Sequence, residues 1–137
     1  MLNKELEECY LDTIYIAYTD LGEIHIRIGE HNQVLNDLLA KRGVSNWCFM
    51  TAWNPYSKIA EAGANKIQNN QLKTELNGKY VFYDGHGKGR KAEWPAEESF
   101  LVLGISPTES MRFAKKYQQN AIVVGDLKNP AALLITV

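Results

Sequence analysis

A chain of 137 residues suffices for one hydrophobic core, so a single compact domain over residues 1–137 is expected. With 45% hydrophobic and 23% charged residues, the composition is globular and speaks against disorder. A net charge of −1 at pH 7 argues against a nucleic-acid binder, and no apolar run approaches the roughly 18–20 residues that span a bilayer.

The acidic start, with Glu5, Glu7 and Glu8, has no signal-peptide core, and its absence predicts a cytoplasmic protein with reduced thiols. Residues 11–18 are β-branched and aromatic, which predicts a strand. A turn over 19–22 follows, and Glu23-Ile24-His25-Ile26-Arg27-Ile28 then alternates polar and apolar, so the two segments should form an antiparallel hairpin. His25 and Arg27 share its solvated face with Glu23. Val34, Leu35, Leu38 and Leu39 recur at helical spacing, with Asn32 as N-cap, Lys41 and Arg42 at the negative end of the dipole, and Gly43 past the end. Residues 47–52 are continuously apolar, as in a strand covered on both faces, and strand–helix–strand in this order predicts a crossover unit. Cys48 within it is a small core hydrophobe by its apolar neighbours.

The apolar run stops at Thr51-Ala52-Trp53-Asn54-Pro55-Tyr56-Ser57. Pro55 bars Asn54 from helical dihedrals, so the chain turns at a strand end and displays Trp53, Asn54 and Tyr56 together. A helix is expected from Ser57, as N-cap, to about Leu76, with a break near Gly63; Asn65, Leu72 and Leu76 fall on one inward stripe, and Ile59 and Ile67 lie off it. Residues 79–83 read as a strand. Asp84-Gly85-His86-Gly87-Lys88-Gly89-Arg90-Lys91 reads as a glycine-rich loop able to cradle a phosphate with Lys88, Arg90 and Lys91, although it matches neither a Walker loop nor a dinucleotide fingerprint. Residues 100–105 form a buried strand, Ser106-Pro107-Thr108-Glu109 opens a helix as a capping box, and strands over 121–124 and 131–137 complete the chain. The sum is an α/β or α+β fold with a mixed sheet, an N-terminal hairpin and about three helices.

Trp94 precedes Glu97, Glu98 and Ser99. A carboxylate against an indole can act as general acid or base, and strand alternation lets only one of the two glutamates face a shared site. His86, in the glycine-rich stretch, is a candidate to assist it. Gln119 and Asn120, at a strand start, satisfy backbone groups or read a ligand's polar edge. The three histidines and two cysteines lack ligand spacing, so neither metal nor other cofactor is expected.

Residues 51–57, Asn65, Trp94 with Glu97-Glu98-Ser99, Gly104-Ile105 and Gln119-Asn120-Ala121 together resemble the bacterial family known as domain of unknown function 3293. Ala96 departs from the tighter run after the tryptophan, which leaves either glutamate as the match. The resemblance implies a small bacterial intracellular protein and leaves the chemistry open. From the residues themselves, the first reading is a binder of a small polar or anionic, nucleotide-like ligand, with Trp53 and Trp94 stacking on a ring. In it Asn54, Tyr56, Ser57, Asn65, Ser99, Gln119 and Asn120 supply polar contacts, and Lys88 or Arg90 holds a phosphate. The alternatives are a hydrolase or transferase using Glu97 or Glu98 with His86, and a protein-interaction or inhibitor module using the acidic N-terminal segment.

Overall fold

The computed structural model describes residues 2–89 and 96–137. A helix that the sequence reading did not anticipate, α1 (Lys4–Asp12), comes first. Asn3 caps it by accepting from the Leu6 amide at 2.8 Å, and Glu5 and Glu7 lie in its first turn, where the dipole favours them. The helix therefore takes Leu11 and Asp12 from the expected strand, and β1 (Ile14–Thr19) begins after Thr13. β1 and β2 (Gly22–Ile26) form the expected antiparallel hairpin, with Tyr15 opposite Ile26 and Ala17 opposite Ile24.

Helix α2 (Gln33–Arg42) has the expected ends: the Asn32 side chain accepts from the Leu35 amide at 3.0 Å, and Gly43 is left-handed at φ 68°. Next come β3 (Asn46–Met50), a short 3-10 turn (Pro55–Ser57), α3 (Ala62–Leu76), β4 (Val81–Lys88), β5 (Glu97–Leu103), α4 (Pro107–Lys116), β6 (Ala121–Asp126) and β7 (Ala132–Ile135). Ser106 caps α4 by accepting from the Glu109 amide at 3.1 Å, while the Glu109 carboxylate turns to Arg112 at 2.7 Å instead of closing the box.

The strands form one sheet in the order β2-β1-β4-β5-β3-β6-β7. Every neighbouring pair is antiparallel, so the architecture is α+β and the expected mixture of strand directions is absent from the pairing. The crossover logic explains the difference. Helices α2, α3 and α4 each join two strands of the same direction, but those strands are not neighbours: β5 lies between β3 and β4, and β3 between β5 and β6. Parallel-running connections are thus interleaved into an antiparallel sheet.

Both faces are covered, which is why residues 47–50 are apolar without alternation. Trp47 and Phe49 join Leu35, Leu38 and Leu39 of α2 on one face. Cys48 and Met50 join Leu72 and Leu76 of α3 and Phe113 and Ala114 of α4 on the other. Cys48 is fully buried, and burial pushes its thiol up to about 12, so it serves as packing.

Two further expectations are corrected. Helix α3 starts at Ala62, not at Ser57, because Ser57 is left-handed at φ 60° and its amide is taken by the Asn54 carbonyl at 2.8 Å. Residues 84–88 are the end of β4, not a loop, paired with β1 on one side and β5 on the other. Gly85 is glycine because a β-carbon there would meet the Ile16 carbonyl oxygen at 2.3 Å and the Phe49 ring at 3.1 Å. The remaining part of the expected loop, including Arg90 and Lys91, lies outside the described residues, as does Trp94.

A β-carbon at Gly87 would meet only ordinary contacts from 3.4 Å. Chemical denaturation should therefore show Gly85→Ala losing about 1–3 kcal/mol from overpacking, with Gly87→Ala within about 0.5 kcal/mol of the parent.

Candidate functional site

After β3 the chain enters an unusual loop. Asn54, Tyr56 and Ser57 have φ of 46°, 55° and 60°, and Gln118, at the far side of the same region, has φ 56°. Left-handed backbone disfavours side-chain-bearing residues, above all a bulky one such as Tyr56. The surroundings hold the loop in place. The Tyr56 amide donates to the Gln118 carbonyl at 2.6 Å, joining two left-handed residues directly.

Amide side chains do the rest. The Asn54 amide N–H donates to Asn65 Oδ1 at 2.8 Å, and Asn65 Nδ2 donates to Asn54 Oδ1 at 2.8 Å. Asn54 Oδ1 also accepts from the Ala60 amide at 3.0 Å. One turn along α3, Asn69 accepts from the Ala52 amide at 2.9 Å and donates to the Glu98 carbonyl at 2.9 Å. From the opposite side, Gln119 Nε2 donates to the carbonyls of Trp53 and Tyr117, both at 3.2 Å. Asn65 and Asn69 are each 2% exposed, so these amides are satisfied structural groups that fix loop 51–57. Asn65 does lie on the inward stripe with Leu72 and Leu76, as its spacing indicates.

The loop borders a cavity of about 610 Å³. Helix α1 roofs it, with Glu5, Glu8, Cys9, Tyr10 and Asp12 along the rim; Tyr15, Phe49 and Met50 come from the sheet, and Trp53, Asn54, Ser57, Glu97, Ser99 and Gln119 from the strand ends and loop. Asn54 Nδ2 donates to Glu97 Oε1 at 3.1 Å, so the asparagine that shapes the loop also positions the acid. The roof is tied down through Tyr10. Its carbonyl accepts from the Tyr15 hydroxyl at 3.0 Å, and its hydroxyl lies 3.4 Å from Ser57 Oγ, which also accepts from Asn120 Nδ2 at 3.0 Å. Burial raises the phenol pKa of both Tyr10 and Tyr15 above the ordinary tyrosine value.

The other expected residues lie elsewhere. Strand alternation sends Glu98 to the opposite face, where it pairs with Lys66 at 3.2 Å beside Asn69 and Asp84 in a second, smaller hollow of about 320 Å³. His86 is outside the cavity and stacks with Tyr18, whose hydroxyl is 3.0 Å from His86 Nδ1. Tyr56 is 47% exposed, and Lys88 is exposed at the end of β4 and does not line the cavity. Asn65 and Asn120 sit behind the lining residues, bonded to Asn54 and Ser57. Arg90 and Trp94 fall outside the described residues. The sequence reading missed the roof, namely Tyr10, its partner Tyr15 and the α1 acids; the signal available was Asn3 as a cap, followed by Glu5, Glu8 and Asp12 at steps of three and four.

Among the described residues, no helix is long and apolar enough to cross a membrane, and no group of three or more His, Cys, Asp or Glu is placed to hold a metal ion. Residues 50–122, more than half of the chain, match the family described as protein of unknown function (DUF3293). No curated protein and no solved structure matches the chain.

Removing the Asn65 amide strands the buried Asn54 N–H, so Asn65→Ala should cost about 1–3 kcal/mol in equilibrium unfolding, whereas Asn70→Ala on the exposed side of α3 should stay within about 0.5 kcal/mol. The raised phenols set an alkaline dependence. Unfolded tyrosine releases its proton near pH 10 while folded Tyr15 keeps it, so stability is full below about pH 10 and falls above it, by up to about 1.4 kcal/mol per pH unit per group. Unfolding curves across that range should show the fall, and Tyr15→Phe should make it less steep.

Proposed function

The chain belongs to the DUF3293 family, and we propose that it is a small-molecule-binding protein whose ligand lies in the cavity beneath α1. One observation carries this reading. A hollow of about 610 Å³ has the size of small-molecule sites, roughly 300–1,000 Å³, and it combines aromatic walls with a few fixed polar groups. The half-buried Trp53 offers a ring face, and Ser99 and Gln119 border the same hollow beside Glu97, which Asn54 holds. The strained loop supports it too: left-handed non-glycine residues concentrate where surroundings over-determine a functional geometry. A cytoplasmic setting in a bacterium accords with the free thiols of Cys9 and Cys48.

Cys9 gives a direct readout, because it lines the cavity and is exposed while Cys48 is fully buried. A panel of nucleosides, nucleotides, amines and small aromatic acids is expected to contain a compound that both raises the melting temperature and slows Cys9 alkylation. At a hundred times its dissociation constant such a compound stabilises by about 2.7 kcal/mol. Trp53→Ala should abolish both effects. A panel in which no compound produces either effect overturns the reading.

A further inference from the structure

Resting on the cavity reading above, we infer that the ligand has a flat apolar body and buries an uncharged N–H donor against Gln119, as a lactam or cyclic imide does. Gln119 is 7% exposed and borders the cavity. Its side-chain nitrogen has both hydrogens committed, to the carbonyls of Trp53 and Tyr117, each at 3.2 Å. Two acceptors on that side fix which end of the amide is nitrogen, so the oxygen turns the other way. Among the described residues that oxygen accepts no hydrogen bond, whereas every fully enclosed side-chain polar atom has a partner. The oxygen therefore reaches accessible space, and the space that Gln119 borders is the cavity.

The neighbouring polar groups give the assignment its direction. Asn54, the other amide on the wall, is engaged at both ends: its oxygen accepts from Asn65 and from the Ala60 amide, and its nitrogen donates to Glu97. The buried Ser99 hydroxyl gives its hydrogen to the Glu97 carbonyl at 3.0 Å, and the buried Tyr15 hydroxyl gives its own to the Tyr10 carbonyl at 3.0 Å. Gln119, Ser99 and Tyr15 thus turn lone pairs toward the hollow, and lone pairs read a donor. A buried acceptor left unmet costs more than a met one returns, so a ligand without a hydrogen at that point is penalised as well as unrewarded. A neutral amide oxygen does not offset the hydration that a charged donor loses on burial, so the group set against Gln119 is uncharged. Phe49, Met50, Trp53 and Ile122 supply flat and apolar surface for the rest of the molecule.

Three bicyclic probes that differ at one ring position test this: carbostyril carries a lactam N–H there, coumarin an oxygen, and N-methylcarbostyril a blocked nitrogen. In calorimetric titration carbostyril should bind about tenfold more tightly than either of the others, the factor that one buried hydrogen bond makes. Cys9 alkylation should slow in the same order. In nitrogen-labelled protein the Gln119 side-chain amide signal should move further with saturating carbostyril than with saturating coumarin. Gln119→Met keeps the length of the side chain and removes its oxygen, and it should bind carbostyril and coumarin alike. That variant also loses two bonds to the loop, so the amide signal of the native protein decides the matter where the variant does not fold. Coumarin or N-methylcarbostyril binding as tightly as carbostyril, a preference that survives Gln119→Met, or a Gln119 signal that carbostyril does not move overturns the donor assignment and leaves the cavity reading standing. Binding by none of the three, when another compound does protect Cys9, likewise overturns it; failure of every compound removes both readings.

Discussion

The reciprocal pair of amides between Asn54 and Asn65 is the constraint on which the site depends. Each side chain has few ways to satisfy itself in a nearly dry interior, and here the two satisfy each other and the Asn54 backbone together. That closure forces Asn54 into left-handed backbone, which in turn permits the sharp descent of the chain through Pro55 to Ser57. The remaining donor of Asn54 then points toward Glu97. A bond that looks purely architectural thus determines where the acid stands.

The cavity exists because α1 is a poor packing element. None of its residues is buried, and the exposed Glu5, Glu8 and Asp12 flank Leu6, Cys9 and Tyr10 on the side that borders the cavity. Tyr10 is the exception that secures it, through its own carbonyl and hydroxyl. The result is a roof over aromatic walls and not another helix of the core. Loop 51–57 and the strand ends close the remaining side.

Much of this was legible in the sequence, and the reasons for success and failure are physical. Continuous apolarity at 47–52, the caps Asn32 and Ser106, and the stripe of Asn65, Leu72 and Leu76 are local signals; they mark elements that exist, although β3 ends at Met50 and α3 starts at Ala62 instead of Ser57. Strand partners are not local: the crossovers correctly join strands of one direction, but only the folded sheet shows that an antiparallel neighbour slips between them. Gly85 reads as a loop residue because its cause, the Phe49 ring and the Ile16 carbonyl, lies on other strands. For the site, Trp53, Asn54, Ser57, Glu97, Ser99 and Gln119 do meet around one hollow, as their strand-end positions indicated. Glu98 does not join them, for the alternation reason stated in advance, and His86 faces Tyr18 because residue 86 belongs to a strand. Tyr10 and Tyr15 escaped notice since their significance comes from a helix whose acidic sequence hid its start.

The position of β3 has a consequence for biosynthesis. This strand sits between β5 and β6 in the sheet, yet it leaves the ribosome before both of them. Until its two neighbours have been translated, the apolar run Trp47-Cys48-Phe49-Met50 has neither hydrogen-bonding edge occupied, although α2 and α3 are already synthesised by then. An unpaired, uncharged strand of this kind is a template for pairing with a stranger. The nascent polypeptide therefore passes through an interval in which an interior strand of its sheet has both edges open, and holdase chaperones would find their natural target there.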